Sequence, residues 1–384
     1  MTSRVLLFLM IICVWNDIKE ARAMDDYDVD PESIVRSVHI DSSHHAHIQQ
    51  GGVKIWRFDI AAEECESARV HLDAFVMAPG DYVLVYGLDA NGRTIGMERF
   101  EGKGWRDAGD VNSRRVWAKH IVLELHATNG QSHFHLTYVH YSDCYYERLG
   151  KPNKLCSGGA GWKNLVCFKN DVPQLYQLGD AVFKLRYVRN GTGRVATGWK
   201  ATDDGHCMTN NHAVNTDQVV RTLELLYKYD ATTCNGSTGR VNATYHGDRM
   251  IQTNGPLDFT IFTVRENITR VRCLPRTTSI PPTTSMLLIV HHPNGKVKKL
   301  SYKSNVDAGR VCKRNASCAT NKVCYNCDTV NGSSGAPVIY RPNSTSSFYV
   351  FALHKGAPAS GCPNRGIKMS KIIPAAGNNL GPCT

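Results

Sequence analysis

Beyond its first two dozen residues this 384-residue chain has no apolar run long enough to cross a bilayer as a helix, which takes about 20 consecutive apolar residues. It also lacks a concentrated basic tract with interleaved aromatics, the usual footprint of a nucleic-acid site, although its formal charge is +11. The cations therefore read as a property of the surface, able to steer acidic surfaces or substrates. Neither a membrane span nor a nucleic-acid partner is expected. Helical periodicity is scarce as well, and that directs the fold toward β structure.

The one early apolar run is short. It extends from Val5 to Trp15, follows Arg4 and precedes Ala21-Arg22-Ala23, the layout of a cleavable secretory signal over residues 1–23. Fourteen cysteines, all but one past that segment, suit an oxidising compartment in which disulfides persist. The expected product is a secreted, extracellular monomer. Cys312, Cys318, Cys324 and Cys327 could be drawn as a zinc site, but in a secreted chain they read as disulfides. His39, His44, His45 and His47 read as a solvated tail rather than metal ligands, so no metal or cofactor is expected. Sequons for N-glycosylation begin at Asn190, Asn235, Asn242, Asn267, Asn315, Asn331 and Asn343, all in the C-terminal part.

Two all-β units follow from the alternation of apolar residues. Residues 24–153 contain strand-like segments at Val53 to Ile60, Ala68 to Phe75, Tyr82 to Tyr86, Ile121 to Leu125 and Phe134 to Val139, separated by turns such as Pro79-Gly80-Asp81 and Asn91-Gly92. This pattern predicts a small antiparallel sandwich whose ends Cys65 and Cys144 could tie. A polar, basic stretch, Arg148 to Lys154, then reads as an exposed linker suited to processing. Residues 154–384 carry further short strands: Ala181 to Val188, Val195 to Lys200, Val219 to Lys228, Phe259 to Val264, Met286 to Val290, Val297 to Tyr302, Val338 to Tyr340 and Phe348 to Leu353.

Chemistry concentrates in Asn331-Gly332-Ser333-Ser334-Gly335-Ala336-Pro337. A serine between glycines suits a tight turn that presents a hydroxyl beside backbone amides able to hold an oxyanion. Such a hydroxyl needs a general base, and the base needs an orienting carboxylate. His212 and Asp258 stand upstream in the order His, Asp, Ser, spaced by 46 and 76 residues. The Gly-x-Ser-x-Gly elbow and the Ser, Asp, His order of α/β-hydrolases are missing, which argues against an esterase of that kind.

With these elements in place, the C-terminal unit resembles the chymotrypsin-like serine endopeptidases, in particular secreted trypsin-like and lysyl-endopeptidase-like enzymes made as precursors. The residues that carry the resemblance are Thr209-Asn210-Asn211-His212, Leu257-Asp258-Phe259-Thr260, His292-Pro293-Asn294-Gly295, Cys327-Asp328-Thr329 with Gly332-Ser333-Ser334-Gly335, and Leu353-His354-Lys355-Gly356. It implies two packed six-stranded barrels with a cleft between them, and protein or peptide substrates. It assigns Ser334 as nucleophile, His212 as general base, Asp258 as its orienter, and the amides of Gly332 and Ser334 as the oxyanion hole. It pairs Cys156 with Cys362 and Cys167 with Cys234, with Cys207 to Cys273 a weaker pairing. Trp56 to Ile60 and the strand pair from Phe75 to Tyr86 are similar to that group's propeptide, which could block the cleft until removed; a permanent protein- or carbohydrate-binding module is the rival reading.

Departures bear on specificity and activation. Ser333 stands where digestive trypsins carry an Asp that binds a freed N-terminus, so uncovering of the cleft is the expected route of activation. Asp328, six residues before Ser334, has the spacing of a carboxylate at the base of a basic P1 pocket. His354 resembles a pocket residue of glutamyl endopeptidases and makes acidic P1 the alternative. A catalytically silent homologue acting as a binding protein is the alternative from another class, though no triad member is lost. Since Asn331 abuts the proposed oxyanion turn, glycan mapping by mass spectrometry should find it unoccupied in active material.

Overall fold

The computed structural model describes residues 28–44, 48–50, 52–62, 64–128, 130–144, 155–156, 161–358 and 361–383. The expected signal, residues 1–23, and the expected linker, Arg148 to Lys154, lie outside them.

Alternating apolar residues build a sandwich from the first part of the described chain. One sheet has four strands in the order Ser33–Asp41, His133–Cys144, Cys65–Val76 and Val111–Asn112; the other has five, in the order Ile48–Gln50, Val53–Ala61, His120–Ala127, Tyr82–Leu88 and Thr94–Phe100. Their inner faces meet through Val70, Leu72, Phe75, Val83, Val85, Leu123, Leu125, Phe134 and Leu136, the two-layer solution for half-buried strands. Cys65 and Cys144 are disulfide-bonded. Two expectations need correction. His39 does not sit in a tail: it is exposed on an edge strand whose Ile34, Val38 and Ile40 pack against the core. The segments on either side of Pro79-Gly80 do not pair, because Cys65–Val76 and Tyr82–Leu88 fall in opposite sheets and the turn crosses between layers. His45 and His47 lie outside the described residues.

The second part opens with a closed six-stranded barrel in the order Val182–Arg189, Thr192–Lys200, Cys207–Thr209, Phe259–Val264, Ala243–Asn254 and Glu224–Tyr227. Phe183, Leu185, Tyr187, Val220, Leu225 and Phe262 fill it. Of the segment expected as one strand from Val219 to Lys228, the first turn is helical: Thr216 caps Asp217–Arg221 by accepting from the Val219 N–H, a preference of Thr at helix starts that outweighs β-branching. The other half is a seven-stranded antiparallel sheet ordered Trp162–Asn164, Lys299–Ser301, Leu287–His291, Pro337–Tyr340, Tyr349–Gly356, Asn364–Lys368 and Lys322–Tyr325. It is a half-barrel rather than a closed second barrel, with short strands of three and four residues at its two edges. Together the halves make the expected all-β double-barrel architecture of the chymotrypsin-like fold. A shared core that includes Trp199, Met208, Phe259, Ile261, Leu288, Val290, Ile339 and Leu353 joins them.

Among the described residues six disulfides are formed. Cys156–Cys362 and Cys167–Cys234 match expectation, and the cluster resolves into Cys312–Cys327 and Cys318–Cys324. Cys273 pairs with Cys383, near the C-terminus, instead of Cys207. Cys207 is a free, buried thiol on a barrel strand.

Charged groups dominate the contact between sandwich and barrel. Glu224, on a barrel strand, receives three hydrogen bonds of 2.6–3.2 Å from Arg115, while Arg69 lies 4.0 Å away and donates to the Thr222 carbonyl. Arg186 is held by Asp143 at 2.6 and 3.1 Å, and Asp248 accepts from both Trp105 and Arg106. Burial opposes the Glu224 charge, but Arg115 and Arg69 overcome it and hold the carboxyl well below the usual carboxylate range. Its contribution is therefore present at neutral pH and is lost as the solution is acidified below that range. Glu224→Ala would strand two buried guanidinium groups, and urea unfolding of the full chain should show a loss of about 3–5 kcal/mol.

Candidate active site

At the seam between the two halves, each candidate side chain is placed by a different element. Strand Cys207–Thr209 ends in a turn in which Val214 N–H returns to Asn210 O, and this turn carries His212. Asp258 precedes strand Phe259–Val264 with φ of +47°, in the left-handed region that Asp tolerates better than most residues. Asn210 Nδ2 donates to the Asp258 carbonyl at 2.9 Å. The Asp258 carboxylate then receives the His212 backbone N–H at 2.8 Å and faces Nδ1 at 2.8 and 3.1 Å. Lys355 Nζ approaches its Oδ2 to 3.2 Å. Burial alone would raise the Asp258 pKa; the bonds and charge of His212, with Lys355, outweigh it and keep the carboxyl below its ordinary range.

Ser334 lies on the turn between Lys322–Tyr325 and Pro337–Tyr340, almost buried at 8 % exposure. Barrel strand Thr192–Lys200 holds that turn from the other half of the molecule. Thr197 donates its N–H to Ser334 O at 2.9 Å and its Oγ1 to Gly332 O at 2.8 Å. Gly332 and Gly335 have φ of +81° and +83°; a Cβ would come within 2.6 Å of the His292 carbonyl at the first and 2.3 Å of the Thr197 carbonyl at the second. Only glycine fits either place. Beneath the turn, Ser333 Oγ bonds His291 Nδ1 at 2.7 Å, and His291 Nε2 bonds Ser301 Oγ at 2.9 Å. Ser333 and His291 are thus tied to each other, and His291 is a buried support beneath the turn.

The outer face of His212 meets an unexpected residue. Asp28, 2 % exposed, accepts the Gly332 N–H on Oδ1 at 2.6 Å and places Oδ2 3.6 Å from His212 Nε2. One carboxylate therefore spans a candidate oxyanion amide and the candidate base. Burial disfavours the imidazolium, but the hydrogen bonds to Asp258 and the nearby charges of Asp258 and Asp28 raise the His212 pKa to about 9. Sequence reasoning missed Asp28 and Thr197. The first had one faint signal, the acidic run Asp25-Asp26-Tyr27-Asp28-Val29-Asp30 in a basic chain; the second is an unremarkable strand threonine.

The two specificity candidates are both fully buried near this turn. Asp328 Oδ2 accepts the Gly161 N–H at 2.7 Å, and its carbonyl accepts from Ser301 Oγ. The carboxylate expected to face a substrate cation is thus bonded to backbone. His354 Nδ1 lies 2.6 Å from Tyr325 Oη, and burial, with His212 nearby, pushes its imidazole down to about 3, so it is neutral. The site thus brings a buried carboxylate onto an imidazole beside a turn that carries a serine hydroxyl and backbone N–H groups, the residue types that acyl transfer uses.

The chain is similar to known proteins in three respects. The profile of the lysyl endopeptidase C-terminal domain matches residues 157–368, more than half of the chain. A secreted RxLR effector protein 73 of Plasmopara viticola is 25 % identical over 323 residues, covering 79 % of this chain and 77 % of its own. Among solved structures, a Glu endopeptidase aligns over 57 % of this chain and 95 % of its own at 16 % identity and a TM-score of 0.39. A serine endoprotease from Yersinia pestis aligns over 52 % of this chain, at 12 % identity and a TM-score of 0.36, and the match spans 62 % of that chain. The chain belongs to the lysyl endopeptidase C-terminal domain family and is a serine endopeptidase.

Proposed function

We propose that the protein is a secreted endopeptidase, made as a precursor, that cleaves peptide bonds through Ser334, His212 and Asp258. The observation that carries this reading is the Asp258 carboxylate, buried and bonded to both the backbone and the ring of His212, whose Nε2 lies 3.6 Å from the Asp28 carboxylate that accepts the Gly332 N–H, two residues before Ser334. Asp258 fixes the tautomer with Nδ1 protonated, leaving Nε2 to take the Ser334 proton as the hydroxyl attacks. The same nitrogen then returns a proton to the leaving amine, and water repeats the cycle on the acyl-enzyme. Gly332 N–H and Ser334 N–H stabilise the oxyanion; one such donor is worth ~3 kcal/mol in the transition state.

The P1 residue is read as Lys or Arg through Asp328, six positions before the nucleophile. One observation favours the acidic alternative: Asp328 serves the Gly161 N–H, whereas Tyr325, if its O–H donates to His354 Nδ1, leaves Nε2–H as a donor for a substrate carboxylate. A mixed peptide library digested with processed enzyme should show cuts that vanish in Ser334→Ala. Cuts after Lys and Arg support Asp328 as the selector, cuts after Glu transfer that role to His354, and an uncut library leaves the binding-protein reading.

In the precursor reading the sandwich is a propeptide removed by cleavage in the basic stretch Arg148 to Lys154. Sequencing of secreted active material should find a new N-terminus near residues 149–156; a start at Met24 would make the sandwich a permanent module.

A further inference from the structure

We infer that residues 28–32 form a built-in inhibitor whose Asp28 carboxylate occupies the oxyanion site and locks the catalytic base, so that the uncut chain is latent. This rests on the endopeptidase reading above and names the device that silences that site.

The strap is built as an added strand. Asp28 C=O accepts the Val195 N–H at 2.7 Å, Asp30 N–H donates to Gly193 O at 3.0 Å, and Val29 bridges Arg194 in antiparallel register. These groups lie on the part of the Thr192–Lys200 edge that no barrel strand pairs, and the same strand holds the turn of Ser334 through Thr197. Main-chain pairing with a sheet edge is a general way of holding an extended peptide, and here the chain supplies the peptide itself. Its acidic side chains sit among cations: Asp30 Oδ2 is 3.7 Å from Arg186 Nε, and Glu32 reaches Lys296 at 3.3 Å and Lys184 at 4.0 Å.

Asp28 obstructs two steps at once. A substrate carbonyl must accept the Gly332 N–H that Asp28 Oδ1 already holds, and a carboxylate oxygen matches the negative charge for which such amides are arranged. His212 must be neutral to accept the Ser334 proton, but Asp28 Oδ2, buried without a hydrogen bond of its own, faces Nε2 as a counter-ion. The other charged or titratable groups around this ring are Asp258, Lys355 beyond it, neutral His354 and the Arg189 guanidinium on the His212 carbonyl. With the His212 pKa at about 9 in this state, the imidazolium contribution to the docked strap is complete below the ordinary imidazole pKa and is lost as pH rises through about 9. Asp28 itself has φ of +68°, a conformation that persists only where surrounding contacts enforce it.

The test compares uncut full-length wild type, Asp28→Asn, Asp28→Ala and Ser334→Ala by the rate at which a fluorophosphonate labels Ser334. Asp28→Asn retains the volume and the tolerance for left-handed backbone, so it carries the comparison if the alanine variant fails to fold. Labelling should rise about tenfold or more in the Asp28 variants, as expected from loss of a buried charge-assisted hydrogen bond, and should vanish in Ser334→Ala. The His212 imidazole, followed by NMR, should titrate near 9 in wild type and lower in Asp28→Asn, a change that general loosening of the sandwich would not require. Equal, rapid labelling of wild type and Asp28 variants, abolished by Ser334→Ala, would refute the inhibitor and keep the enzyme. Folded variants that never label, even after cleavage between sandwich and barrel, would refute the nucleophile and with it the inhibitor.

Discussion

One strand edge carries the active region. Thr192–Lys200 pairs with Val182–Arg189 from Thr192 to Trp199 on one side, but on the other it meets Cys207–Thr209 only at Trp199 and Lys200. The backbone groups of residues 193–197 that face outward must find other partners, because buried peptide groups left unpaired are costly. Thr197 N–H finds Ser334 O, Val195 N–H finds Asp28 O, and Gly193 O finds Asp30 N–H. The same unfinished edge thus anchors the turn of Ser334 to the barrel and receives the segment that begins at Asp28.

Charge distribution follows from this arrangement. Arg186 and Lys184 are fully buried on the neighbouring strand, an unfavourable place for cations unless carboxylates accompany them. Asp143 from the sandwich, and Asp30 and Glu32 from the strap, are those companions. Burial lowers Lys184 to about 8 even so. The sandwich therefore covers a barrel surface whose residues are chosen for being covered.

Much of the fold was legible beforehand because its signals are local. Alternation in Val53 to Ile60 and Phe259 to Val264 marks half-buried strands wherever they end up, and the family resemblance supplied the Cys156–Cys362 and Cys167–Cys234 pairings. Errors arose where a local signal had two outcomes. Thr216 turned a β-branched run into a helical turn, Pro79-Gly80 crossed between sheets instead of closing a hairpin, and Cys273 found Cys383 only because the C-terminal segment folds back over the barrel. The triad candidates were readable because Gly332-Ser333-Ser334-Gly335 and Thr209 to His212 each impose their own turn geometry.

The sequence by itself determined the all-β class, the His212, Asp258 and Ser334 candidates and their order, since turn chemistry and residue type act over a few positions. Only the tertiary structure decided that Asp28, more than 300 residues before Gly332 in the chain, closes on its amide, that Asp328 spends a carboxylate oxygen on Gly161, and that Glu224 gathers two arginines from another unit. Those contacts depend on which polar groups remain unsatisfied once the sheets have formed, a balance set by the whole fold and carried by no single stretch of residues.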